Sequence, residues 1–514
     1  MKLDDSTVNP VSSGLFRNTS YNLLTQGFLV VIAIWAIPIL VHKLGDERFG
    51  ILALLWALVG YFSFLDLGIS RANTKFLSEA ITIGDRNLSA RIVWTSLTFS
   101  AGLGIVSMII IFLGTPFLLL TVFKVTPLLY EETSQAFLYA ALSIPFMLIF
   151  GTIKGVQIAF LRFDLVNTFQ GGMSAFQWAG SVVLVWFGMG LKEIVLLTFL
   201  LRILSAVISF FLLPLQIPSF FQSINLWDKL IFQKLLRFGG WVSVSQLISP
   251  LFMYLDKILI GAFLTLTAVA YYSVPQEVFS RLLIIPMSLS IVLFPIFSGQ
   301  TVLEENLEKI RDLYFRSVKY LVLFILPLTI IIIVYAKNIL SVWVGAEYCK
   351  ESSLVFQIIA CGFFFNSLAQ IPATILHAYG RPDLTAKFHL IELPLMVFLN
   401  IVLIPRIGII GAGIAWSIRV MLDAFLLFLF ARKYVGVPIY RENNNAYFYT
   451  VRYEILLIIS ILIALLFVNT LSIKLTISLL LILVYMPWVW YRGFDGADRN
   501  FFIQLRSRFY KWEH

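Results

Sequence analysis

Long apolar runs broken by short polar stretches fill most of this chain. Crossing about 30 Å of hydrocarbon takes roughly twenty apolar residues in a helix. Runs of that length fall near 17–41, 49–70, 92–113, 136–160, 168–189, 193–214, 236–262, 268–297, 317–336, 353–379, 384–404, 408–431, 453–470 and 475–491. The pattern predicts an all-α polytopic membrane protein of about fourteen transmembrane helices. The third and fourth runs are the least sharply bounded, because 114–130 is also apolar. The longest connections, near 71–91, 114–135, 215–235, 298–316 and 432–452, are too short for a separate folded domain, which needs about 50 residues.

Composition sharpens this reading. Of 514 residues, 60% are apolar and 13% charged, about half the charge of an ordinary soluble domain. The mean hydropathy is +0.91, more apolar surface than a water-soluble sphere of this size can hide. Met1–Ser13 is polar and has no cleavable apolar segment, so the first span is expected to stay in place. The net charge of +10 is read as lysine and arginine facing anionic lipid, and no nucleic-acid partner is expected. With the N-terminus inside, 25 basic residues fall in inner loops and tails, 8 in outer loops and 5 within spans. Both termini are therefore expected in the cytoplasm. The last segment, RSRFYKWEH, reads as an interfacial anchor.

The chain repeats itself. Leu24–Ala53 aligns with Val244–Ser273 at an offset of 220 residues, placing Gln26 opposite Gln246. RFDL (Arg162–Leu165) meets RPDL (Arg381–Leu384), and Arg202 meets Arg419. Each repeat holds six spans, an even number, so both halves have the same orientation. The expected architecture is two six-helix bundles, 1–225 and 226–434, related by a pseudo-two-fold axis along the membrane normal. Residues 435–514 supply two extra helices and a cytoplasmic tail.

KLGDERFGILALLWALVGYFSFLDLGIS, DKILIGAFLTLTAVAYYSVPQEVFSRL and LHAYGRPDL, together with the repeat, resemble the polysaccharide-unit flippases (O-antigen, Wzx type) of the MOP superfamily over nearly the whole chain. The resemblance implies translocation of an undecaprenyl-diphosphate-linked oligosaccharide from the cytoplasmic to the periplasmic leaflet of the bacterial inner membrane, by alternating access. It places the chain in polysaccharide or lipopolysaccharide biosynthesis, with membrane lipids around it and a polysaccharide polymerase as a candidate partner. Other readings are a multidrug exporter or a peptidoglycan-precursor flippase of the same superfamily. A membrane polymerase or ligase is disfavoured, because no large outer loop carries an acid–base constellation; an enzyme is not expected.

No cofactor or metal is expected. Cys349 and Cys361 lack a second ligand pair, the four histidines are scattered, and no glycine loop carries the lysine and Ser/Thr of a nucleotide site. The candidate chemistry lies in charges inside apolar runs, where each costs about 2.5–3.5 kcal/mol on insertion scales. The candidate cationic cavity is Lys257, Arg281, Lys154, Arg202 and Arg419, suited to replace the hydration of a diphosphate. Asp256, Glu277, Asp423, Glu392 and Asp66 are candidates to pair with those cations or to carry a coupling ion, proton or sodium.

The bland alternative is internal pairing. Glu277 with Arg281, and Arg419 with Asp423, stand at i,i+4 on helices. Asp256 and Lys257 are adjacent and point about 100° apart, so neither can face the other on one helix. At the first-half positions matching Asp256, Lys257, Glu277 and Arg281 stand Ala36, Ile37, Ala57 and Tyr61. The scaffold does without these charges in one half, which favours a functional role for Lys257 and Arg281. Gln26, Gln246, Asn366 and Asn400 are candidates for sugar hydroxyls, with helix-to-helix hydrogen bonds as the plainer reading.

Overall fold

A computed structural model describes residues 31–61, 69–160, 162–221, 227–300 and 307–436, with isolated positions 27, 29, 476, 483 and 487. The regular elements among them are helices: α1 (Val31–Leu44), α2 (Asp46–Tyr61), α3 (Ile69–Ile83), α4 (Arg86–Phe117) and α5 (Pro127–Ala159). Next come α6 (Phe163–Trp186), α7 (Leu191–Phe211), α8 (Leu213–Gln216), α9 (Lys229–Phe263) and α10 (Leu266–Leu282). The series ends with α11 (Ile284–Gln300), α12 (Leu307–Trp343), α13 (Ala346–Ala378), α14 (Pro382–Ile407) and α15 (Ile409–Val435).

Seven helical segments among the described residues are long and apolar enough to span a bilayer: Arg86–Val122, Pro127–Ala159, Leu191–Gln216, Ile310–Trp343, Ala346–Ala378, Pro382–Ile407 and Ile409–Tyr434. The chain is a multi-pass membrane protein. The expected spans at 453–470 and 475–491, and Asp66, lie in parts that are largely outside the described residues.

Several boundaries differ from those expected. The third run does not stop at 113. Helix α4 continues to Phe117 and then winds through a π-helical turn, Leu118–Val122. Helix α5 begins nine residues earlier than 136, because Pro127 fits a first helical turn, where its missing N–H has no partner to lose. The run 268–297 is two helices, parted at Leu283. Pro286 explains the break: it has no N–H for the Leu282 carbonyl, and its ring crowds that oxygen. The expected loop 71–91 is largely helix α3, continuing into α4 from Arg86.

The described residues fall into two compact units. One comprises Met1–Ile284, Trp343–Val355 and Ala386–Trp416; the other comprises Ile285–Val342, Phe356–Thr385 and Ser417–His514. In the first, α5 is central and packs on α3, α4, α6 and α7, while α2 packs on α9 and α10. Small polar side chains join α3 to α5: Ser70 Oγ donates to the Gly151 carbonyl (2.8 Å) and Thr74 Oγ1 to the Gly155 carbonyl (2.9 Å). Gly155 is needed there, since a Cβ would press on the Ser70 carbonyl. Gly50 does the same for α2 against α10, where a Cβ would collide with the Leu266 carbonyl. One apolar cluster gathers Leu77, Val93, Leu97, Ile153, Val156 and Phe220. Helix α4 turns Ile105, Ile109, Phe112, Leu113 and Phe117 outward, as a lipid-facing surface requires.

In the second unit, Gln357 Nε2 donates to the Ile333 carbonyl (2.8 Å) and Ser417 Oγ to the Ile358 carbonyl (3.0 Å), tying α13 to α12 and α15. The repeated Arg-x-Asp motif has one geometry in both places. Arg162 Nε and Nη2 donate to the Asp164 carboxylate, both at 2.9 Å. Arg381 Nε and Nη2 donate to Asp383 at 3.0 and 3.3 Å.

Candidate functional site

The site is built on the α9–α10 hairpin of the first unit. Asp228 starts α9: its Oδ1 accepts from the Leu230 and Ile231 N–H groups at 3.0 and 3.1 Å. Thr265 starts α10 by accepting from the Ala268 N–H at 3.1 Å. These caps set where each helix begins, and the Asp256–Lys257 pair on α9 faces the second and third turns of α10.

The two neighbours use different partners. Asp256 is fully buried. Its Oδ2 accepts from Tyr272 Oη and from Gln276 Nε2, the latter at 3.1 Å, and its Oδ1 accepts from the Lys257 N–H at 2.8 Å. Lys257 reaches Glu277 instead, Nζ to Oε1 at 3.6 Å. Arg281 meets the other oxygen of the same acid, Nη2 to Oε2 at 3.5 Å. Two cations therefore share one carboxylate, leaving a local charge of plus one.

These three charged groups line a cavity of about 320 Å³. Helix α2 adds Phe49 and Trp56, α6 adds Ser174, Gln177 and Trp178, and the hairpin adds Tyr254, Ser273, Gln276 and Ser280. Trp56 and Trp178 meet edge to face, with ring centroids 5.0 Å apart. The Arg281 guanidinium carbon stands 5.8 Å from the Trp178 ring centroid. Four buried polar atoms of the lining residues have no hydrogen-bond partner among the described residues, Trp56 Nε1, Ser273 Oγ, Gln276 Oε1 and Arg281 Nε, and each is closed off from the cavity itself. Buried donors and acceptors left unpaired cost about 1–3 kcal/mol each. Indole and phenol faces beside fixed cations suit a sugar attached to an anion.

The remaining charged candidates lie elsewhere. Lys154 on α5 donates to Gln170 Oε1 on α6 at 2.8 Å, and Arg202 on α7 donates through Nη1 to Ser143 Oγ on α5 at 2.7 Å. Neither is among the residues lining this cavity. Glu392 on α14 is fully buried. Arg419 and Asp423 are both buried on α15, in the second unit. Asn400 donates to the Met396 carbonyl of its own helix at 2.9 Å. Sequence reasoning missed Trp56, Trp178, Tyr254, Gln177 and Gln276. The i,i+4 spacing of Tyr272 and Gln276 was the available signal for the partners of Asp256, which need two donors on one helical face.

Residues 39–353 match the model of the family described as "Polysaccharide biosynthesis protein". The chain belongs to that family. This family member is 29% identical over 422 residues to a Shigella flexneri protein named as a candidate O-antigen transporter, covering 80% of this chain and 96% of the relative. Its fold is that of a lipid II flippase, MurJ, solved in an inward closed conformation. The TM-score is 0.67 at 14% identity, and the likeness covers 94% of this chain and 98% of the other. An inward-facing multidrug transporter of the MOP superfamily is also similar, with a TM-score of 0.64 at 14% identity, covering 82% and 94%. The family and the all-α, multi-pass membrane fold expected from the sequence are thus borne out.

Proposed function

We propose that this polysaccharide biosynthesis family member is a flippase, not an enzyme, which carries an undecaprenyl-diphosphate-linked oligosaccharide unit from the cytoplasmic to the periplasmic leaflet of a bacterial inner membrane. The observation that carries the reading is the cavity wall on which Lys257 and Arg281 share the one carboxylate of Glu277. A diphosphate head has to leave water before it can cross the bilayer, and this wall offers replacements for its hydration. Lys257 and Arg281 bind the phosphates by charge-assisted hydrogen bonds. Glu277 between them weakens that grip, so that the head can leave on the other side. Trp56, Trp178 and Tyr254 offer ring faces to the first sugar.

The excess cation disfavours positively charged drugs as cargo. Transport follows alternating access between two six-helix bundles, 1–225 and 226–434, with both termini in the cytoplasm. A reporter active only outside the membrane checks the orientation: activity is expected after Glu131 and silence after Asn444, and the reverse pattern refutes it. The function is tested by Lys257→Ala in a strain that depends on this protein. Surface glycan is expected to fall at least about tenfold at unchanged membrane level, the effect of losing about 1.4 kcal/mol of binding. Normal surface glycan at normal protein level would return Lys257 to a purely structural role.

A further inference from the structure

At one end of the first unit, residues 34–50 meet residues 265–271 and 343–348. Tyr271 Oη donates to Asp46 Oδ2 at 3.2 Å, beside the close approach of Gly50 to the Leu266 carbonyl. Trp343, the last residue of α12, donates through Nε1 to the Ile34 carbonyl of α1 at 2.7 Å. This last bond answers a defect written in the sequence. A helical carbonyl accepts from the N–H four residues on, and the residue four after Ile34 is Pro38, which has none. Ile34 stands with Val31 and Trp35 on the exposed, lipid-facing side of α1, where water is not at hand to replace that donor. The indole N–H only donates, which suits a bare carbonyl. His42 adds a second contact with the turn after Trp343: its Nδ1 donates to the Pro38 carbonyl at 2.7 Å, and its ring lies against Gly345.

We infer that Trp343 is a latch: by serving the carbonyl that Pro38 frees, it holds the two proposed bundles together at their outer ends and keeps the cationic cavity shut from that side. The inference rests on the alternating-access reading and names the contact that opening must break. Ile34, His42 and Asp46 belong to bundle 1–225, and Trp343, Gly345 and Tyr271 to bundle 226–434, so the contacts Ile34–Trp343, His42–Gly345 and Asp46–Tyr271 each cross the joint. They gather at the α1–α2, α9–α10 and α12–α13 connections, all three expected outside when the N-terminus is inside. A single neutral hydrogen bond is small enough to break and remake in every cycle, unlike a buried ion pair. The strength of this latch depends on the missing N–H at position 38 as much as on the indole. With an N–H there, α1 satisfies its own carbonyl and the indole has little to add.

The test uses the full-length protein in spheroplasts, where an impermeant maleimide meets only the outer face. Cys349→Ala and Cys361→Ala remove the two free thiols, and Ser174→Cys reports on the cavity. Trp343→Phe, which keeps a ring and removes the donor, is expected to raise the labelling rate at least about fivefold, by raising the share of molecules open to the outside. Pro38→Ala, which returns an N–H to α1, is expected to raise it comparably. The two together are expected to match the larger single effect, because both act on one hydrogen bond. Membrane protein level and melting temperature check that each variant is folded. An unchanged rate in Trp343→Phe, or single effects that multiply in the double variant, would overturn the inference and leave the indole a packing role. If Trp343→Phe does not fold, Pro38→Ala alone decides, and an unchanged rate there overturns the latch. The readout needs no cargo, so its failure is distinct from failure of the flippase reading, which is judged by movement of the lipid-linked sugar.

Discussion

Lys257 Nζ and Glu277 Oε1 lie 3.6 Å apart across the α9–α10 hairpin, and Arg281 holds the other oxygen of the same carboxylate at 3.5 Å. The acid is thus divided between two cations, so removing one cation still leaves it a partner. This separates two roles for Arg281. If Arg281 only neutralises Glu277, Arg281→Gln leaves that acid its Lys257 partner, and transport stays near wild type. If Arg281 contacts a diphosphate, Arg281→Gln loses transport although no charge is orphaned. Loss is expected, at least about tenfold below wild type. Arg281→Lys is expected to keep part of the activity, because a point charge still binds phosphate. Surface glycan, with membrane protein level as the control, reads both.

Arg202 was a candidate for the same cavity, yet its guanidinium donates to Ser143 Oγ at 2.7 Å and joins α7 to α5. A hydrogen bond from a charged group contributes about 1.5–3 kcal/mol. Arg202→Ala is therefore expected to lower the melting temperature in detergent and the amount of folded protein, while the transport rate per folded molecule stays near wild type. A variant that melts normally but does not transport would place Arg202 among the binding groups.

Asp228 links charge to acid stability. Hydrogen bonds from the Ile231 and Leu230 N–H groups, and the Arg91 guanidinium, hold its carboxyl below the usual carboxylate range. A carboxyl lowered in the folded state stabilises it at pH values above the unfolded value of about 3.9. That contribution is lost as the pH falls through the lowered folded value. Asp164, held low by Arg162, acts in the same direction. Asp228→Ala is expected to cost about 1 kcal/mol near neutral pH through the lost helix cap. Melting curves of both proteins from pH 7 to pH 3 check this: the gap should narrow in the acid limb. A gap that is constant with pH would show that the charge of Asp228 contributes nothing.

How much of this was legible in the sequence depends on how rare each signal is. Lys257 and Arg281 stood out because charges inside long apolar runs are costly and few. Trp56 and Trp178 did not, because a chain with 12 Trp and 47 Phe gives no single aromatic residue any contrast. The Arg162–Asp164 and Arg381–Asp383 forks were readable as a repeat, since the geometry of a residue and its second neighbour is set locally by the tetrapeptide. Helix α3 gives no sequence signal of a span, because Arg71, Lys75 and Glu79 break its apolar run. Its helical state is supported by Ser70 and Thr74 bonding carbonyls of α5, a contact distant in sequence. The opposite assignments of Asp256 and Lys257 were likewise invisible, since they depend on which turn of α10 each one meets.

The most direct test of the central claim, that a cationic cavity on α2, α6, α9 and α10 passes a lipid-linked sugar diphosphate across the bilayer, is flipping by the purified full-length protein. Liposomes would carry a fluorescent undecaprenyl-diphosphate oligosaccharide, with arrival in the opposite leaflet read by an impermeant quencher. Wild type is expected to equilibrate the lipid between leaflets. Lys257→Ala with Arg281→Gln, reconstituted in equal amount and with the same melting curve, is expected to be at least about a hundredfold slower, since two charge-assisted contacts are gone. Equal flipping by wild type and this double variant would contradict the account.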